Sequence, residues 1–427
     1  MANYFFETMS ESDASNFASD DRLFFLSGSP SSVTVTHQAA TSGGLHPTAE
    51  SITITSGVVS HTFAADALAT ASQDQNVIFV SAGNDALVVD SDSGTAVDLS
   101  AGADVGDFSD HSVLYAFGGN DTIDGGNHSD WIDGGAGNDV ITGINDGSDD
   151  ALASKQDVLQ GGAGADTITG DVGNDHIYGN AQTTTQGAAD GADSIIAGAG
   201  NDYVNANAGD DFVDGGAGND RLYGGNGADT IHGGADIDYL QGNKGADSLL
   251  GEAGNDVLHG GADNDALLGG ADNDQLFGDL GADTVTGGAG YDWLSGGAGN
   301  DVFSFAAGDA SNANVTTAPT AANHGLTDVI ADFTDASDKI ALGFTVSAVL
   351  HDTTHTVATT VEGAQAIAQG LLTANGGGGT DVAAITVGSD TYLFFDGDHA
   401  NTTIDSVIKV LGVTDSAFNV GTNNDFA

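Results

Sequence analysis

The sequence contains no cysteine and only six basic residues, against 62 acidic ones, which gives a formal charge of −56. The absence of cysteine excludes disulfide bonds and thiolate metal sites. The excess of negative charge excludes nucleic acid as a partner and disfavours anionic membranes. No apolar run approaches the ~20 residues that a membrane-spanning helix needs. Because so acidic a chain repels itself, we expect it to stay expanded unless it binds cations.

The N-terminal segment MANYFFETMSESDASNFASDD lacks another familiar feature, a basic region followed by an apolar core. The sequence therefore predicts no conventional export signal. Taken alone, this would favour a cytosolic protein.

A nine-residue unit repeats through the middle of the chain, as in GGAGNDRLY (215–223) and GGNGADTIH (224–232). From Ala116 to Ser304 the frame contains 21 slots, and aspartate fills the sixth place in 19 of them. In those slots the eighth place is Ile, Val, Leu or, once, Phe. A constant period of this kind indicates a solenoid. A disordered acidic linker is disfavoured, because it has no reason to keep an aliphatic residue two places after each aspartate.

Each unit predicts a tight turn followed by a short strand. Glycines at the first, second and fourth places permit backbone angles that side chains forbid. In three slots the fourth glycine is replaced by an aspartate (Asp236, Asp263 and Asp272), which tolerates the left-handed conformation. The eighth residue points inward, since strand side chains alternate between faces. If two units form one coil, aspartates 18 residues apart stack at about 4.8 Å. Carboxylates so close repel unless a cation lies between them, and calcium accepts carboxylates mixed with carbonyl oxygens.

This pattern resembles the RTX (haemolysin-type calcium-binding) family over about half of the chain. The expected fold is all-β, a right-handed parallel β-roll (a calcium-stapled solenoid) with β-rich N-terminal and C-terminal cap domains. The resemblance also implies type I secretion from a Gram-negative bacterium through an uncleaved C-terminal signal, and hence an extracellular or cell-surface location. The terminal NNDFA is compatible with such a signal. Low calcium inside the cell would leave the repeats unfolded for passage, and higher external calcium would fold them.

Four regions are predicted from these patterns: 1–79 as an N-terminal β-rich cap or assembly region, 80–115 as degenerate coils, 116–304 as the repeat roll, and 305–427 as a β-rich C-terminal cap. In the first region, the alternating runs 31–38 and 51–60 predict strands, and Met9 to Phe17 predicts one short helix.

The segment DVIADFTDASDKIAL (328–342) resembles the sequence that follows the repeats in serralysin-type and haemolysin-type proteins. That similarity implies further calcium ligands at Asp328, Asp332 and Asp338. Beyond it, 389–398 predicts a strand and turn, and 403–413 predicts a strand or short helix.

Counting two slots per coil assigns the sixth-place aspartates to two columns. The odd column is unbroken, whereas the even column is interrupted at Ser148 and Thr184. The predicted calcium ligands are the aspartates with a partner 18 residues away: Asp121, Asp139, Asp157, Asp175, Asp193, Asp202, Asp211, Asp220, Asp229, Asp238, Asp247, Asp256, Asp265, Asp274, Asp283, Asp292 and Asp301.

Adjacent pairs in the two columns predict about fifteen calcium ions, which would reduce the formal charge from −56 to −26. On this assignment Asp247 belongs to two sites. Asp166, whose neighbours would be Ser148 and Thr184, should matter least. The slots 143–151 and 179–187 are expected to be loops that leave the same edge of the roll, two coils apart.

Aromatic residues at the outward seventh and ninth places are unevenly distributed. The even strands carry Trp131, Tyr203, Tyr223, Tyr239, Phe277 and Trp293, whereas the odd strands carry Tyr178 and Phe212. Scattered exposed aromatics are normal. A one-sided row also fits a surface that another domain or molecule covers.

No catalytic motif stands out. The pair His351 and His355 has the spacing of a zinc motif, but Asp352 replaces the glutamate base and the surrounding residues favour a strand. No G-x-S-x-G occurs. The remaining histidines at turn or outward places (His128, His176, His232 and His259) fit a polar surface, and residues 396–401 resemble only the opening of an EF-hand loop. We expect a protein without an enzymatic module.

The sequence thus favours a secreted calcium-binding structural protein, a homo-oligomer or polymer that assembles into an extracellular layer, filament or matrix. The alternative is a calcium-dependent adhesin that binds a cell-surface polysaccharide through its aromatic face. A hydrolase with its site in residues 1–79 or 320–427 is less favoured.

Overall fold

The computed structural model describes nine strands before residue 120 and then residues 120–125, 130–143, 156–180, 191–305, 328–333, 338–342, 348–351, 361–374, 381–395 and 406–413, with Ile404, Phe418 and Phe426. The chain divides into two compact units, Met1–Val213 and Asp214–Ala427.

The N-terminal strands form two small sheets. One is parallel and contains β1 (Asn3–Phe5), β2 (Arg22–Phe25) and β6 (Val77–Phe79). The other is antiparallel and contains β3 (Val33–Gln38), β4 (Ser51–Ser56) and β5 (Val59–Ala64). The strands predicted at 31–38 and 51–60 are therefore confirmed, whereas the helix predicted from Met9 to Phe17 lies outside the described residues.

The rest of the first unit is a parallel roll whose strands alternate between two sheets. One sheet has the order β7–β9–β11–β13–β15–β17 and the other β8–β10–β12–β14–β16. The strands are β7 (Ala86–Val89), β8 (Ala96–Asp98), β9 (Ser112–Tyr115), β10 (Thr122–Asp124), β11 (Trp131–Ala136), β12 (Val140–Thr142), β13 (Val158–Ala163), β14 (Thr167–Val172), β15 (His176–Tyr178), β16 (Ser194–Ala199) and β17 (Tyr203–Ala208), followed by β18 (Phe212–Ala217) at the division between the units. Strands β7, β8 and β9 lie in the segment 80–115 and pair in parallel with strands of the roll.

The second unit begins with a roll of the same kind. One sheet has the order β19–β21–β23–β25–β27–β29 and the other β20–β22–β24–β26–β28–β30. The strands are β19 (Arg221–Asn226), β20 (Thr230–Ala235), β21 (Tyr239–Lys244), β22 (Ser248–Ala253), β23 (Val257–Ala262), β24 (Ala266–Ala271), β25 (Gln275–Leu280), β26 (Thr284–Ala289), β27 (Trp293–Ser295), β28 (Val302–Ser304), β29 (Asp328–Ile330) and β30 (Lys339–Ala341). The expected all-β parallel β-roll is confirmed.

The eighth-place side chains form the core of each roll. In the second unit Leu222, Leu240 and Leu258 are in register on adjacent strands, and all three are fully buried. Their neighbours at the seventh and ninth places face outward, as the alternation of a strand requires. Burial of one aliphatic side chain per nine residues contributes about 1.5–3 kcal/mol for each strand.

The strand register skips two repeat slots, which corrects the predicted columns. β12 pairs with β14, and β13 pairs with β11, so the slot 143–151 contributes no strand to either sheet. Likewise β15 pairs with β17 and β14 with β16, so the slot 179–187 contributes none. The coils that contain these slots are therefore 27 residues long instead of 18. The strands that precede these slots, β12 and β15, belong to different sheets, so the prediction that both loops leave the same edge is wrong.

The C-terminal part of the second unit continues one sheet. β29 pairs in parallel with β34 (Ser406–Val410), which pairs antiparallel with β33 (Asp390–Phe395), and β33 forms a hairpin with β32 (Asp381–Val387). β31 (Ala348–His351) pairs with β32 in parallel. The strands predicted within 389–398 and 403–413 are confirmed.

Helix α1 (Val361–Ala374) packs on this sheet. Its buried Ala364, Ala368 and Leu372 contact a core that includes Ile385 and Phe394. The sequence analysis did not predict this helix. Within the described residues, no helix has the length and apolar character needed to span a bilayer.

Candidate metal centres

The sixth-place aspartates form continuous ladders along the roll. The backbone N–H of Asp238 donates to Oδ1 of Asp256 at 2.9 Å, and the N–H of Asp256 donates to Oδ1 of Asp274 at 2.9 Å. The residue that follows each aspartate donates its backbone N–H to the carbonyl oxygen of the aspartate one coil earlier. Val257, which follows Asp256, donates to Asp238 in this way at 2.9 Å. Each aspartate is thus held between two coils by its own side chain and by the backbone.

Among the described residues, these bonds form two ladders in each unit. The first unit contains Asp121–Asp139–Asp166–Asp193–Asp211 and Asp130–Asp157–Asp175–Asp202. The second unit contains Asp229–Asp247–Asp265–Asp283–Asp301–Asp338 and Asp220–Asp238–Asp256–Asp274–Asp292–Asp328.

The assignment of columns from odd and even slots is wrong in the first unit. Asp166 lies between Asp139 and Asp193, at 2.8 Å in both hydrogen bonds, and not between Ser148 and Thr184. Asp157 and Asp175 belong to the column of Asp130. The cause is the two skipped slots. After each of them, every following repeat lies in the sheet opposite to the one that slot parity predicts. The sequence analysis therefore missed Asp130 and Asp166 as members of unbroken columns.

The second carboxylate oxygen has a different environment. Every sixth-place aspartate is buried, with at most 3 % of its surface exposed. In nine of them Oδ2 is buried and accepts no hydrogen bond: Asp139, Asp175, Asp238, Asp247, Asp256, Asp265, Asp274, Asp283 and Asp301. A buried carboxylate oxygen without a partner is costly, and it indicates that a positively charged group belongs beside it.

The first-place glycine makes room for this oxygen. A Cβ atom at Gly215 would lie 2.6 Å from Oδ2 of Asp220, so a side chain there would displace the carboxylate. The second-place glycine is required for another reason, since Gly234 has a φ of +111°. The aspartates at the fourth place, Asp236, Asp263 and Asp272, have φ of 80°, 80° and 78°, which confirms the predicted left-handed conformation.

Burial raises the pKa of these carboxyl groups. The pKa of Asp274 is raised to about 8, chiefly by desolvation, while the hydrogen bond from Asp256 lowers it and the charges of Asp292, Asp256 and Asp272 raise it further. Desolvation raises the pKa of Asp238 and of Asp265 to about 7. Near neutral pH the stack must therefore either bind protons or bind cations.

Asparagine at the fifth place forms a second ladder that the sequence analysis did not predict. Oδ1 of Asn219 accepts from the N–H of Ile237 at 2.9 Å, and Oδ1 of Asn273 accepts from the N–H of Tyr291 at 3.0 Å. An amide oxygen is therefore sufficient to accept a backbone hydrogen bond between coils. Because the adjacent sixth place uses a carboxylate in 19 of 21 slots, that position requires negative charge as well as a hydrogen-bond acceptor.

The columns of the second unit extend into the segment after the repeats. Oδ1 of Asp328 accepts from the N–H of Asp292 at 3.1 Å, and Oδ1 of Asp338 accepts from the N–H of Asp301 at 3.2 Å. Asp332 is placed differently. Its carboxylate accepts from Gly296 and Gly297 N–H groups at 3.0 and 2.8 Å and from the Ser295 hydroxyl at 2.6 Å. Asp328 and Asp338 thus continue the columns, and Asp332 fixes the last turn.

These columns fit a hard divalent cation. Among the described residues, no three His, Asp or Glu side chains converge on one point. An ion between two coils would therefore combine carboxylate oxygens with backbone carbonyls, the mixed oxygen set that calcium accepts.

The family model of the RTX calcium-binding nonapeptide repeat matches the chain in eight overlapping segments, which together cover residues 113–143, 154–185 and 188–310. The chain carries RTX calcium-binding repeats. Repeats of this kind bind calcium, and they are typical of secreted extracellular proteins. The number of calcium ions is not fixed by this match, and the use of each individual aspartate as a ligand stays a prediction.

Solved structures with a similar arrangement include two subunits of the mannuronan C5-epimerase of Azotobacter vinelandii. The AlgE6R3 subunit is 24% identical, with a TM-score of 0.28, and the match covers 43% of this chain and 80% of that subunit. The AlgE6R2 subunit is 23% identical, with a TM-score of 0.20 and coverage of 48% and 90%. No curated protein sequence matches the chain.

The other residues considered from the sequence are not part of the RTX columns. Nδ1 of His232 lies 3.1 Å from Glu252, and Nδ1 of His259 lies 3.1 Å from Asp279, both on outer faces. His351 ends strand β31, while His355 and the segment 396–401 lie outside the described residues.

Proposed function

We propose that this protein is exported unfolded, folds when it binds calcium outside the cell, and assembles into an extracellular layer, filament or matrix. The observation that supports calcium-dependent folding is the column of buried carboxylates whose Oδ2 atoms accept no hydrogen bond. Calcium between the coils supplies the positive charge that these oxygens need. The proposal assigns the chain a structural role and no catalytic one, with type I secretion from a Gram-negative bacterium as its route.

The charge of the chain supports assembly. Even with one ion for each of the seventeen adjacent aspartate pairs in the described ladders, the chain would retain a formal charge of about −22. Such a surface attracts further divalent cations, which can then bridge neighbouring molecules. Calcium would thus act both within the roll and between copies.

Sedimentation velocity and electron microscopy of the full chain with and without millimolar calcium test the proposal. We expect an expanded monomer in chelator and large assemblies in calcium. A compact monomer under both conditions would rule the proposal out.

A second candidate function, a calcium-dependent adhesin that binds polysaccharide, is favoured by rows of aromatic side chains on one sheet of each unit. In the first unit Tyr203 lies 5.8 Å from Tyr178 and 5.7 Å from His176, ring centre to ring centre. Tyr178 shares a sheet with Trp131 and Tyr203, so its assignment to the opposite strands is wrong. Retention of a soluble, calcium-loaded monomer on a glycan matrix would favour this function over assembly.

A further inference from the structure

A strip of rings crosses five adjacent strands of one sheet in the second unit. The ring of Tyr239 lies 5.9 Å from that of Tyr223 and 5.8 Å from that of His259. His259 in turn stacks on Phe277 at 4.6 Å, ring centre to ring centre. Trp293 on β27, the strand next to β25, adds a fifth ring. All five stand at outward seventh or ninth places and are half-buried. We refer to Tyr223, Tyr239, His259, Phe277 and Trp293 as the ring strip.

Hydrogen-bonding side chains lie beside the ring strip. The Tyr239 hydroxyl donates to Oε1 of Gln241 at 3.1 Å, and Nε2 of Gln241 donates to Oδ1 of Asn243 at 2.8 Å. Oδ2 of Asp279, on β25, lies 3.1 Å from Nδ1 of His259. The strip is therefore bordered by amide, imidazole and carboxylate groups that are already held in place, which lowers the entropic cost of binding a ligand.

Asn243 and Asp279 occupy second places, where most repeats have glycine. Their φ angles are +79° and +71°, in the left-handed region that disfavours most side chains. Gly261 lies between them in register and contributes no side chain. Residues kept at strained backbone positions are frequent in binding sites. These two flank the strand that carries His259.

These groups suit a sugar. The flat C–H face of a pyranose ring stacks on the negative face of an aromatic ring, and sugar hydroxyl groups both donate and accept hydrogen bonds. Within the described part of the chain, neither Nδ2 of Asn243 nor Nε2 of His259 makes a hydrogen bond. The Asp279 side chain is 45% exposed. Stacking surfaces and hydrogen-bonding groups are thus available side by side.

The other sheet of the same unit provides an internal comparison. Its strands β20, β22, β24 and β26 contain no Tyr, Phe or Trp. Both sheets are built from the same repeat, so the repeat itself does not require rings at its outward places. The ring strip is a specialised feature of one sheet.

The charge around the ring strip favours an uncharged ligand. Arg221 begins β19, whereas the exposed Asp279 belongs to β25 and lies beside His259. The whole chain carries a formal charge of −56. A polysaccharide of uronic acids would be repelled by that charge, whereas a neutral polysaccharide would not.

The size of the ring strip also fits a glycan. Five strands at about 4.8 Å and five residues at about 3.3 Å span about 400 Å². A stable interface between proteins buries about 800 Å² on each partner. A surface of half that area is small for a folded protein partner and long enough for a short stretch of an extended sugar chain.

Building on the polysaccharide binding of the second candidate function, we propose that the ring strip binds an uncharged, β-linked polysaccharide whose pyranose rings present flat C–H faces. Its sugars stack on the rings of Tyr239 and Phe277, and their hydroxyl groups bond to Asn243 and to the pair of His259 and Asp279. Because the five strands align only in the folded roll, this binding requires calcium.

Titration calorimetry with soluble mixed-linkage β-glucan and with galactomannan, in millimolar calcium, tests the site. The wild type should bind at least one of them, and Phe277→Ala should weaken that binding about tenfold, the loss expected for one stacked ring. Leu268→Ala is the matched control, because Leu268 occupies the ninth place of β24 on the other sheet and is 40% exposed. It should bind like the wild type. Circular dichroism in calcium should show that both variants fold.

Four results would overturn the inference. If Phe277→Ala binds as well as the wild type, the ring strip is not the site, although polysaccharide binding itself stands. If the wild type binds polygalacturonate and neither neutral polymer, the ligand class is wrong. If it binds none of the three, polysaccharide binding fails as a function, while self-assembly is judged separately by sedimentation velocity. If Phe277→Ala abolishes assembly in calcium and leaves glycan binding unchanged, the ring strip joins copies of the chain instead.

Discussion

The sixth-place aspartate uses its two carboxylate oxygens differently. Oδ1 accepts the backbone N–H of the preceding coil, and that interaction would persist with asparagine, as the fifth place shows. Oδ2 is buried beside the first-place glycine. The need for charge at this atom explains why the sixth place keeps aspartate in 19 of 21 slots, whereas the fifth place is asparagine in only nine of them. The most direct tests at this scale therefore exchange a carboxylate for an amide.

Asp274→Asn should have opposite effects with and without calcium. Asp274 lies between Asp256 and Asp292, so the variant should lose or weaken two adjacent sites and bind fewer ions by titration calorimetry. In chelator the same variant should be as stable as the wild type or more stable, by about 1–3 kcal/mol, because asparagine removes a buried negative charge while its Oδ1 keeps the hydrogen bond from Asp256.

The exposed Asp272→Asn is the matched control, since it removes one charge from the same coil and asparagine tolerates a positive φ. Equal loss of calcium in both variants would contradict the assignment of ligands to the sixth place.

The raised pKa values predict how folding depends on pH without calcium. Folding raises the pKa of Asp238 and Asp265 from 3.8 to about 7, and that of Asp274 to about 8. The folded state thus binds more protons than the unfolded state between these values, so its stability is fully present below about pH 4 and is lost as the pH rises to about 8. In chelator, circular dichroism should show more strand at pH 5 than at pH 8.

With calcium the trend should reverse, because the ion competes with protons for the same carboxylates. Calcium affinity should increase from pH 6 to pH 8, and titrations in buffers of different ionisation enthalpy should detect proton release. An affinity that does not change across this range would contradict the account.

At the scale of strands and coils, the sequence predicted the repeat, the inward eighth residue and the parallel roll. These features could be predicted because every nine-residue repeat has the same order of turn residues and strand residues. The sequence did not predict the column order. Two slots of nine residues preserve the frame although the strand register skips them, so counting in nines cannot detect them. The informative signal is the eighth place, where Asp150 and Gln186 replace the inward aliphatic residue. Asp328 and Asp338 were suggested only by resemblance, because 36 and 37 residues separate them from the aspartates that they join.

The corrected columns predict that Asp166 is as important as Asp247. Each lies between two aspartates of an unbroken column, so Asp166→Ala and Asp247→Ala should both lose about two ions in a calcium titration. The column order derived from slot parity predicts almost no loss for Asp166→Ala. Such a result would show that the slots 143–151 and 179–187 form coils after all.

Asp332 should hold the last turn of the repeats. Asp332→Ala removes the acceptor for two backbone N–H groups and the Ser295 hydroxyl, which should cost about 2–4 kcal/mol of stability. Asp332→Asn should cost less, because one acceptor oxygen remains. Thermal denaturation in calcium measures the difference, and equal melting temperatures for the wild type and the alanine variant would exclude this role.

At the scale of the whole molecule, the balance between negative charge and bound cations controls the fold. The formal charge of −56 opposes a compact state, and the buried carboxylates oppose it further. Calcium binding offsets both costs, so folding and binding become one equilibrium. The same coupling would keep the chain unfolded where calcium is scarce, which suits export before folding.

Small-angle X-ray scattering of the full chain at pH 7.5, at protein concentrations low enough to prevent assembly, tests this coupling most directly. In chelator, we expect the radius of gyration of an unfolded chain of 427 residues, about 75 Å, and a large decrease on addition of millimolar calcium. A compact particle of the same size in chelator and in calcium would contradict the claim that calcium folds the roll.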